Sequence, residues 1–183
     1  RAECSTAITS AVMLMLAPGV PVSFAIAGMT SAHGQCKTWD SRADGYLRGE
    51  GCAALLARAA APASAAQASV LATAVRSDGR SASLTAPSGT AQQLLMRASL
   101  GEAGRAAGDV GRQEAHGTGT ALGDPIEAGA LVAVLMEPAA APDARSLALH
   151  GVKANIGHLE PAAGGAGLLA LRDGLVSGLA VPN

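Results

Sequence analysis

Aromatic rings are almost missing from this sequence: one Trp, one Tyr and one Phe occur among 183 residues. A core without large rings must be built from Ala, Val, Leu and Met, and therefore from backbones that approach closely. Charge is sparse as well, at 15% of residues, while hydrophobic residues reach 49%. That balance supports a substantial core of the buried-sheet α/β type and excludes a disordered chain. Basic and acidic residues number 13 and 14, a net charge of −1, so there is no basic field to attract nucleic acid. Cysteine is scarce too. Cys4, Cys36 and Cys52 are odd in number and lack a C-x-x-C spacing, which argues against a disulfide scaffold or zinc ribbon and for a reducing compartment. None sits in a nucleophile turn, so all three read as small packing residues. The long uncharged run from Ser5 to Ala32 is interrupted by Pro18, Gly19 and Pro21, and no membrane span is expected from it. Arg1 through Glu3 do not form the basic start of a signal peptide. The length suits one domain or part of a larger one, and the first residue, Arg1, suggests an internal piece.

What is present reads as alternating strands and helices. Thr6–Leu16 is expected as a buried strand, followed by a Pro-Gly turn and a short helix over Val22–Met29. Thr30–Arg48 is polar, punctuated by glycine and carries the Trp and the Tyr, so it is expected to be an ordered loop held by those rings. Gly51–Ala59 and Val70–Arg76 read as further strands, joined by an Ala/Ser-rich connection over Ala60–Ser69. A second long loop over Ser77–Gly89 leads to a helix from Thr90 to Ala103, opened by a Thr-x-x-Gln capping box ending at Gln93. An extended stretch follows at Val110–Ala115. Asp124-Pro125-Ile126-Glu127 then marks a helix start, with Asp124 as N-cap and Glu127 reaching back to free N–H groups, the helix running to Met136. Ser146–Val152 is a last strand and Pro161–Gly178 a helix rich in Gly and Ala.

Two stretches carry chemistry. "EAHGTGTALGDPIEAG" and "VKANIGHLEPAAGGAG" each put a histidine, His116 and His158, where a strand hands over to a helix, beside Gly117 and Gly157. Strand ends of α/β sheets are where ligands gather. Two neutral imidazoles aimed at one point would stabilise an oxygen gaining negative charge, and one well-placed donor of that kind is worth about 2.7–4 kcal/mol. Lys153 stands five positions before His158, near enough to bias the local electrostatics or join in proton traffic. A lone histidine beside glycine is more often a structural hydrogen-bonding residue, and His33 and His150 are read that way. It is the repetition of the motif, with a lysine nearby, that favours catalysis.

These two stretches resemble the histidine motifs of β-ketoacyl synthase domains in type I polyketide synthases. "GMTSAHGQCKTWDSRADGYLRGEGC" (Gly28–Cys52) and "SDGRSASLTAPSGTAQ" resemble further segments of the same family, so the likeness covers almost the whole chain. The resemblance implies a thiolase-like layered αβαβα fold, here partial, with residues 1–183 forming one incomplete domain that spans the end of the N-terminal half and most of the C-terminal half. It implies decarboxylative Claisen condensation between an acyl thioester and a malonyl-type extender on an acyl carrier protein. His116 and His158 would be the two catalytic histidines and Lys153 the lysine beside them. Thr118 and Thr120 would contact the carrier's phosphopantetheine arm. The implied partners are the acyl carrier protein, neighbouring synthase domains such as an acyltransferase, and a second copy in a homodimer. No cofactor is expected to reside in the domain, and cytosol or plastid are both compatible locations. The family's nucleophilic cysteine elbow is expected upstream of this chain, since Cys4 matches a different family segment; without it the 183 residues should be inactive alone. Thr9 and Ser10 stand where the family usually has glycines, and Ala170 where it often has a lysine.

Four alternatives share some of these features. A fatty acid or polyunsaturated lipid synthase would have nearly the same motifs. A non-elongating domain, acting as decarboxylase or chain-length partner, would lack the cysteine. A thiolase would need a different histidine motif. A metal-binding module built on His116, Asp124 and Glu127 is disfavoured by their spacing and by the capping role of the two acids, so no metal site is expected.

Overall fold

Proline and glycine end the first apolar run before it can lengthen. In the computed structural model, which describes residues 4–59, 66–81, 83, 86–136 and 147–179, strand β1 (Thr6–Met13) stops short of Pro18 and helix α1 (Gly19–Ile26) begins just behind it. β1 pairs antiparallel with β2 (Gly51–Arg58), Thr6 opposite Arg58 and Met13 opposite Gly51. Between them, residues 30–48 form the expected loop, with Tyr46 buried at 8% exposure.

Val70–Arg76 was the expected third strand, and it forms none. No described strand pairs with it, and Val70, Leu71 and Val75 stand exposed. An apolar run becomes a strand only when a neighbour completes its ladder. Part of the 60–69 connection lies outside the described residues. Helix α2 (Gly89–Ala103) starts one residue before expectation because its cap is Ser88, whose hydroxyl accepts from the Ala91 N–H at 3.2 Å, and not Thr90.

β3 (Arg112–Glu114) and β4 (Ala148–His150) are the cores of the expected extended stretches and pair in parallel, Glu114 opposite His150. Between them runs α3 (Gly123–Leu135), packed on α2. Its N-cap position belongs to Leu122, not Asp124, because the Asp124 carboxylate is engaged elsewhere. A single helical turn, α4 (Lys153–Ile156), follows β4 directly and is absent from the sequence-based expectation. A 3₁₀ turn at Glu160–Ala162 then leads into α5 (Ala163–Ser177).

The glycines of α5 explain the layering. A Cβ on Gly165 would lie 2.7 Å from the Ala53 Cβ of β2, and one on Gly167 would lie 3.0 Å from the Glu114 Cγ of β3. Only bare backbone lets the helix touch both sheets, so α5 is the middle layer between the β1–β2 and β3–β4 pairs. Its start carries the core of Leu159, Ala162 and Ala163, with Ala11 and Ala166 against it, the small-residue packing that the missing aromatics require. Other faces are open: Ile8 and Leu56 on the ribbon and Leu175 and Val176 on α5 are exposed apolar side chains. Among the described residues no helix is long and apolar enough to cross a membrane. Of the cysteines only Cys36 is a packing residue; Cys4 and Cys52 are exposed, the latter facing away from the covered side of β2.

Candidate active site

The parallel pair β3–β4 delivers both histidine segments to one end of the fold. The Ala115 N–H donates to the His150 carbonyl at 2.9 Å, carrying the ladder one residue past β3, and the chain then turns at His116. The turn is held from α3. The Glu127 carboxylate accepts the N–H groups of His116 at 2.6 Å and Gly117 at 2.8 Å. Asp124 accepts those of Gly119 at 3.1 Å, Thr120 at 3.3 Å and Trp39 at 3.1 Å. The two acids read as helix caps therefore hold the histidine loop instead of their own helix. The loop's path demands glycine at 119, where φ is +76° and a Cβ would meet the Lys37 backbone nitrogen at 2.5 Å.

His158 is gripped from the opposite side. Its N–H donates to the Leu47 carbonyl at 2.7 Å, and the Gly49 N–H donates to the His158 carbonyl at 3.1 Å. The Tyr46 ring meets the imidazole edge-on, centroids 5.3 Å apart. The Glu160 N–H donates to His158 Nδ1 at 2.9 Å. A backbone N–H can only donate, so Nδ1 is an acceptor and the proton of the neutral ring resides on Nε2.

The rings of His116 and His158 stand 5.5 Å apart, nearly perpendicular at 85°. They line a cavity of about 400 Å³ together with Glu114, Lys153, Glu160 and Leu168. Lys153 is buried at 5% exposure and donates its ammonium to the His116 carbonyl at 2.5 Å. Burial lowers the basicity of all three. His158 falls to about 4, through burial first and then the positive charge of Lys153 and the neighbouring His116. His116 is lowered by burial and by Lys153, although the residue as a whole remains exposed. The Lys153 amine is itself lowered by burial, against the pull of Glu114 and Glu127. At neutral pH the site therefore holds two uncharged imidazoles capable of donating, beside one cation.

Glu114 has no role that its sequence position predicts. Its Oε1 accepts the Val152 N–H at 2.7 Å, bracing the end of β3 against the segment that carries Lys153, and burial raises its pKa. Its closeness to His116 in the chain was the available signal. For Asp124 and Glu127, the signal was two acids in a helix start that needs only one. Arg48 pairs with Glu160 from 112 positions away in sequence, and nothing local announces it.

Thr118 and Thr120 lie apart from the histidine cavity. Thr118 is buried, with its hydroxyl 3.3 Å from that of Thr120. Thr120 accepts from the Gly123 N–H at 3.1 Å and lines a second depression of about 490 Å³ with Trp39, Asp124 and Pro125. His33 belongs to a surface cluster, 2.6 Å from Asp44 and 3.1 Å from the Lys37 ammonium. Cys36 is buried against Leu47, and burial pushes its thiol pKa up, which keeps it protonated and unreactive. Among the described residues no cysteine lines the histidine cavity. Of the three residues weighed as metal ligands, Asp124 and Glu127 spend their carboxylates on backbone N–H groups.

Comparison with known proteins agrees along the whole chain. Residues 1–63 match the family model of the β-ketoacyl synthase N-terminal domain, and residues 67–183 match that of the β-ketoacyl synthase C-terminal domain. Erythronolide synthase EryA2 of Saccharopolyspora erythraea is 43% identical over 184 residues, covering 96% of this chain and 5% of that protein. A phenolphthiocerol/phthiocerol polyketide synthase of Mycobacterium tuberculosis is 42% identical over 171 residues, covering 91% of the chain and 8% of the relative. Among solved structures, the ketosynthase from module 6 of the bacillaene synthase of Bacillus subtilis 168 superposes with a TM-score of 0.90 at 34% identity, over 99% of this chain and 33% of that one. The oxazolomycin ketosynthase domain OzmH KS7 of Streptomyces albus JA3453 gives 0.89 at 33% identity, over 98% of this chain and 32% of its own. The chain thus spans about a third of these solved domains and less than a tenth of these two synthases.

Proposed function

The chain belongs to the β-ketoacyl synthase family, with the partial thiolase-like layered fold of its ketosynthase neighbours, and from that premise we propose that it is the histidine-bearing part of a polyketide synthase ketosynthase. Residues 1–183 would form one partial domain spanning the end of its N-terminal half and most of its C-terminal half. The observation that carries the reading is the convergence of two neutral imidazoles on one cavity beside a buried lysine.

The reaction is decarboxylative condensation. When the malonyl-type thioester loses carbon dioxide, the electron pair of the broken C–C bond moves into the thioester and its carbonyl oxygen becomes an enolate. His158, with its proton on Nε2, and His116 donate to that oxygen; being neutral, they bind the developing charge without first surrendering a proton. The enolate carbon then attacks the acyl thioester, a C–C bond forms and the thiolate leaves. Burial first, and the charge of Lys153 second, keep both imidazoles poorly basic, and Lys153 also holds the His116 carbonyl. The acyl-carrying thiol comes from residues outside this sequence, a view supported by the histidine cavity lacking any cysteine among the described residues.

Thr118 and Thr120 would meet the phosphopantetheine arm of the carrier protein, with Thr120 beside the second depression as the supporting feature. The partners on this reading are the acyl carrier protein, adjacent domains such as an acyltransferase, and a second copy in a homodimer. The substrates ride on the carrier's phosphopantetheine, the domain itself holds no cofactor, and the enzyme works in the cytoplasm. Carbon dioxide release from a malonyl-loaded carrier protein, measured on the intact synthase with His158→Ala and His116→Ala, tests the core of this. Loss of release in both variants is expected; full release in either one refutes it.

A further inference from the structure

The second catalytic histidine depends on a contact between two distant parts of the chain. Glu160, whose N–H reaches His158 Nδ1, has φ at +43°, a left-handed conformation that is costly for any residue with a side chain. Such a conformation persists only where the surroundings impose it. The Glu160 carboxylate is held by Arg48. Its Nε donates to Glu160 Oε1 at 2.6 Å and its Nη2 to Oε2 at 3.0 Å, a two-pronged pair that favours one orientation of the carboxylate. The arginine is itself fixed: its side chain is 8% exposed, and its guanidinium carbon lies 5.3 Å from the centre of the Phe24 ring. The backbone on either side of Arg48, at Leu47 and Gly49, is what clamps the main chain of His158.

We propose that Arg48 is a positioning residue for His158: by holding the Glu160 carboxylate it keeps the Glu160 N–H on His158 Nδ1, and so keeps the imidazole proton on Nε2, available to the cavity. The proposal rests on the function given above, since it concerns how that site is prepared. Release of Glu160 would let its backbone relax out of the left-handed region and withdraw the N–H. Nδ1 would then be free to take a proton, and the ring would divide between two tautomers and the charged form. After burial, the charged and titratable groups that act on His158 are Lys153, His116 and Glu160 with Arg48 behind it; the Tyr46 ring packs against the imidazole and the Cys36 thiol lies near its backbone. Of these, only Glu160 reaches Nδ1 directly, through its backbone N–H, and Arg48, which holds its carboxylate, is not among the residues lining the cavity.

The test uses the intact synthase labelled with ¹⁵N-histidine, in wild-type, Arg48→Met, Arg48→Lys and Glu160→Gln forms, with a malonyl-loaded carrier protein as probe. Nitrogen NMR should find the His158 proton on Nε2 in the wild type and spread over both nitrogens in Arg48→Met. Decarboxylation kcat should fall about 10–100-fold in that variant, the range seen when a metal-bound histidine loses the partner that orients it, with KM nearly unchanged. The acid limb of the pH profile should move to higher pH. Arg48→Lys, which keeps the charge and one prong, should restore part of the rate. Glu160→Gln keeps one acceptor for Arg48 and should show a smaller loss in the same direction, which also covers the case of Arg48→Met failing to fold. An unchanged tautomer in either Arg48→Met or Glu160→Gln overturns the proposal, even if the rate falls, because a merely structural ion pair would cost stability without moving that proton. If instead His158→Ala keeps full decarboxylation while the tautomer shift appears, the proposal survives and the assigned function does not.

Discussion

Glu127→Ala should disable the site without touching a ring. The side chain accepts two backbone N–H groups, from His116 at 2.6 Å and Gly117 at 2.8 Å, and together they pin the start of that turn to α3. A hydrogen bond to a charged group contributes about 1.5–3 kcal/mol net, so losing two puts the gross cost near 3 kcal/mol at the low end, the end appropriate to a half-buried carboxylate. The same loss frees His116 to shift, and if it acts as proposed above, a displacement of about 1 Å costs on the order of 100-fold in rate. Glu127→Gln separates the two effects. It keeps one acceptor oxygen but sets an amide N–H₂ against the other backbone N–H, donor facing donor, so it should lose at least one bond, about 1.5 kcal/mol, and an intermediate share of rate. Thermal melts of the intact synthase read the first quantity and carrier-linked decarboxylation reads the second. A Glu127→Gln protein that melts and turns over like the wild type would refute the reasoning, since it would mean that the carboxylate does not hold the turn.

Other expectations follow from the same site. Lys153→Met removes the second largest cause holding down both imidazoles, so histidine titrations should move up in pH for His116 and His158 while staying below the ordinary range, because burial remains; no movement would show that Lys153 does not act on them. His158 binds fewer protons folded than unfolded between its folded value of about 4 and its ordinary value of 6.5, so its neutral form costs nothing above the upper value and stability is lost as pH falls through that window. The loss amounts to about 3 kcal/mol, and His158→Gln should flatten the acid side of the stability curve. Gly119→Ala meets both a positive φ and the Lys37 backbone, so it should destabilise the turn by more than the roughly 1–2 kcal/mol of the left-handed conformation alone; a neutral melt would contradict the close approach. The 183 residues produced alone should form no ketoacyl product and should melt broadly, given exposed Ile8, Val12, Leu56 and Val176; a sharp melt or a condensation product would count against this.

The parts of the structure legible in the sequence are those in which residue type and local position agree. β1, β2, α2 and α5 fall close to their expected spans, because apolar runs bounded by Pro, Gly and Ser have few other local solutions. The two histidines were legible for a different reason: each sits in a repeated strand-to-helix setting, and the parallel pairing of β3 and β4 makes those settings neighbours. What stayed hidden is whatever depends on distant residues. Val70–Arg76 has a strand's composition but no partner among the described residues. Asp124 and Glu127 have the composition and position of caps, yet the N–H groups they serve belong to the preceding loop, a choice made by the turn at Gly117 and Gly119 and by Trp39, 85 positions from Asp124. α4 is a four-residue turn with no periodicity to reveal it.

The parallel register of β3 and β4 also works as a ruler. Each strand advances about 3.3 Å per residue and turns successive side chains to opposite faces. With Glu114 opposite His150, the two residues from that pair to His116 set how far along β3 its ring stands, whereas His158 follows a helical turn and is placed by Leu47 and Gly49. Inserting one residue at the end of β3 would carry the His116 imidazole a strand's step along and onto the other face, leaving both histidines present and out of range of each other. Length tolerance should therefore be lowest over 114–116, whatever the side chains there. In shuffled or trimmed versions of such domains, joints placed there would silence the chemistry even where each half folds.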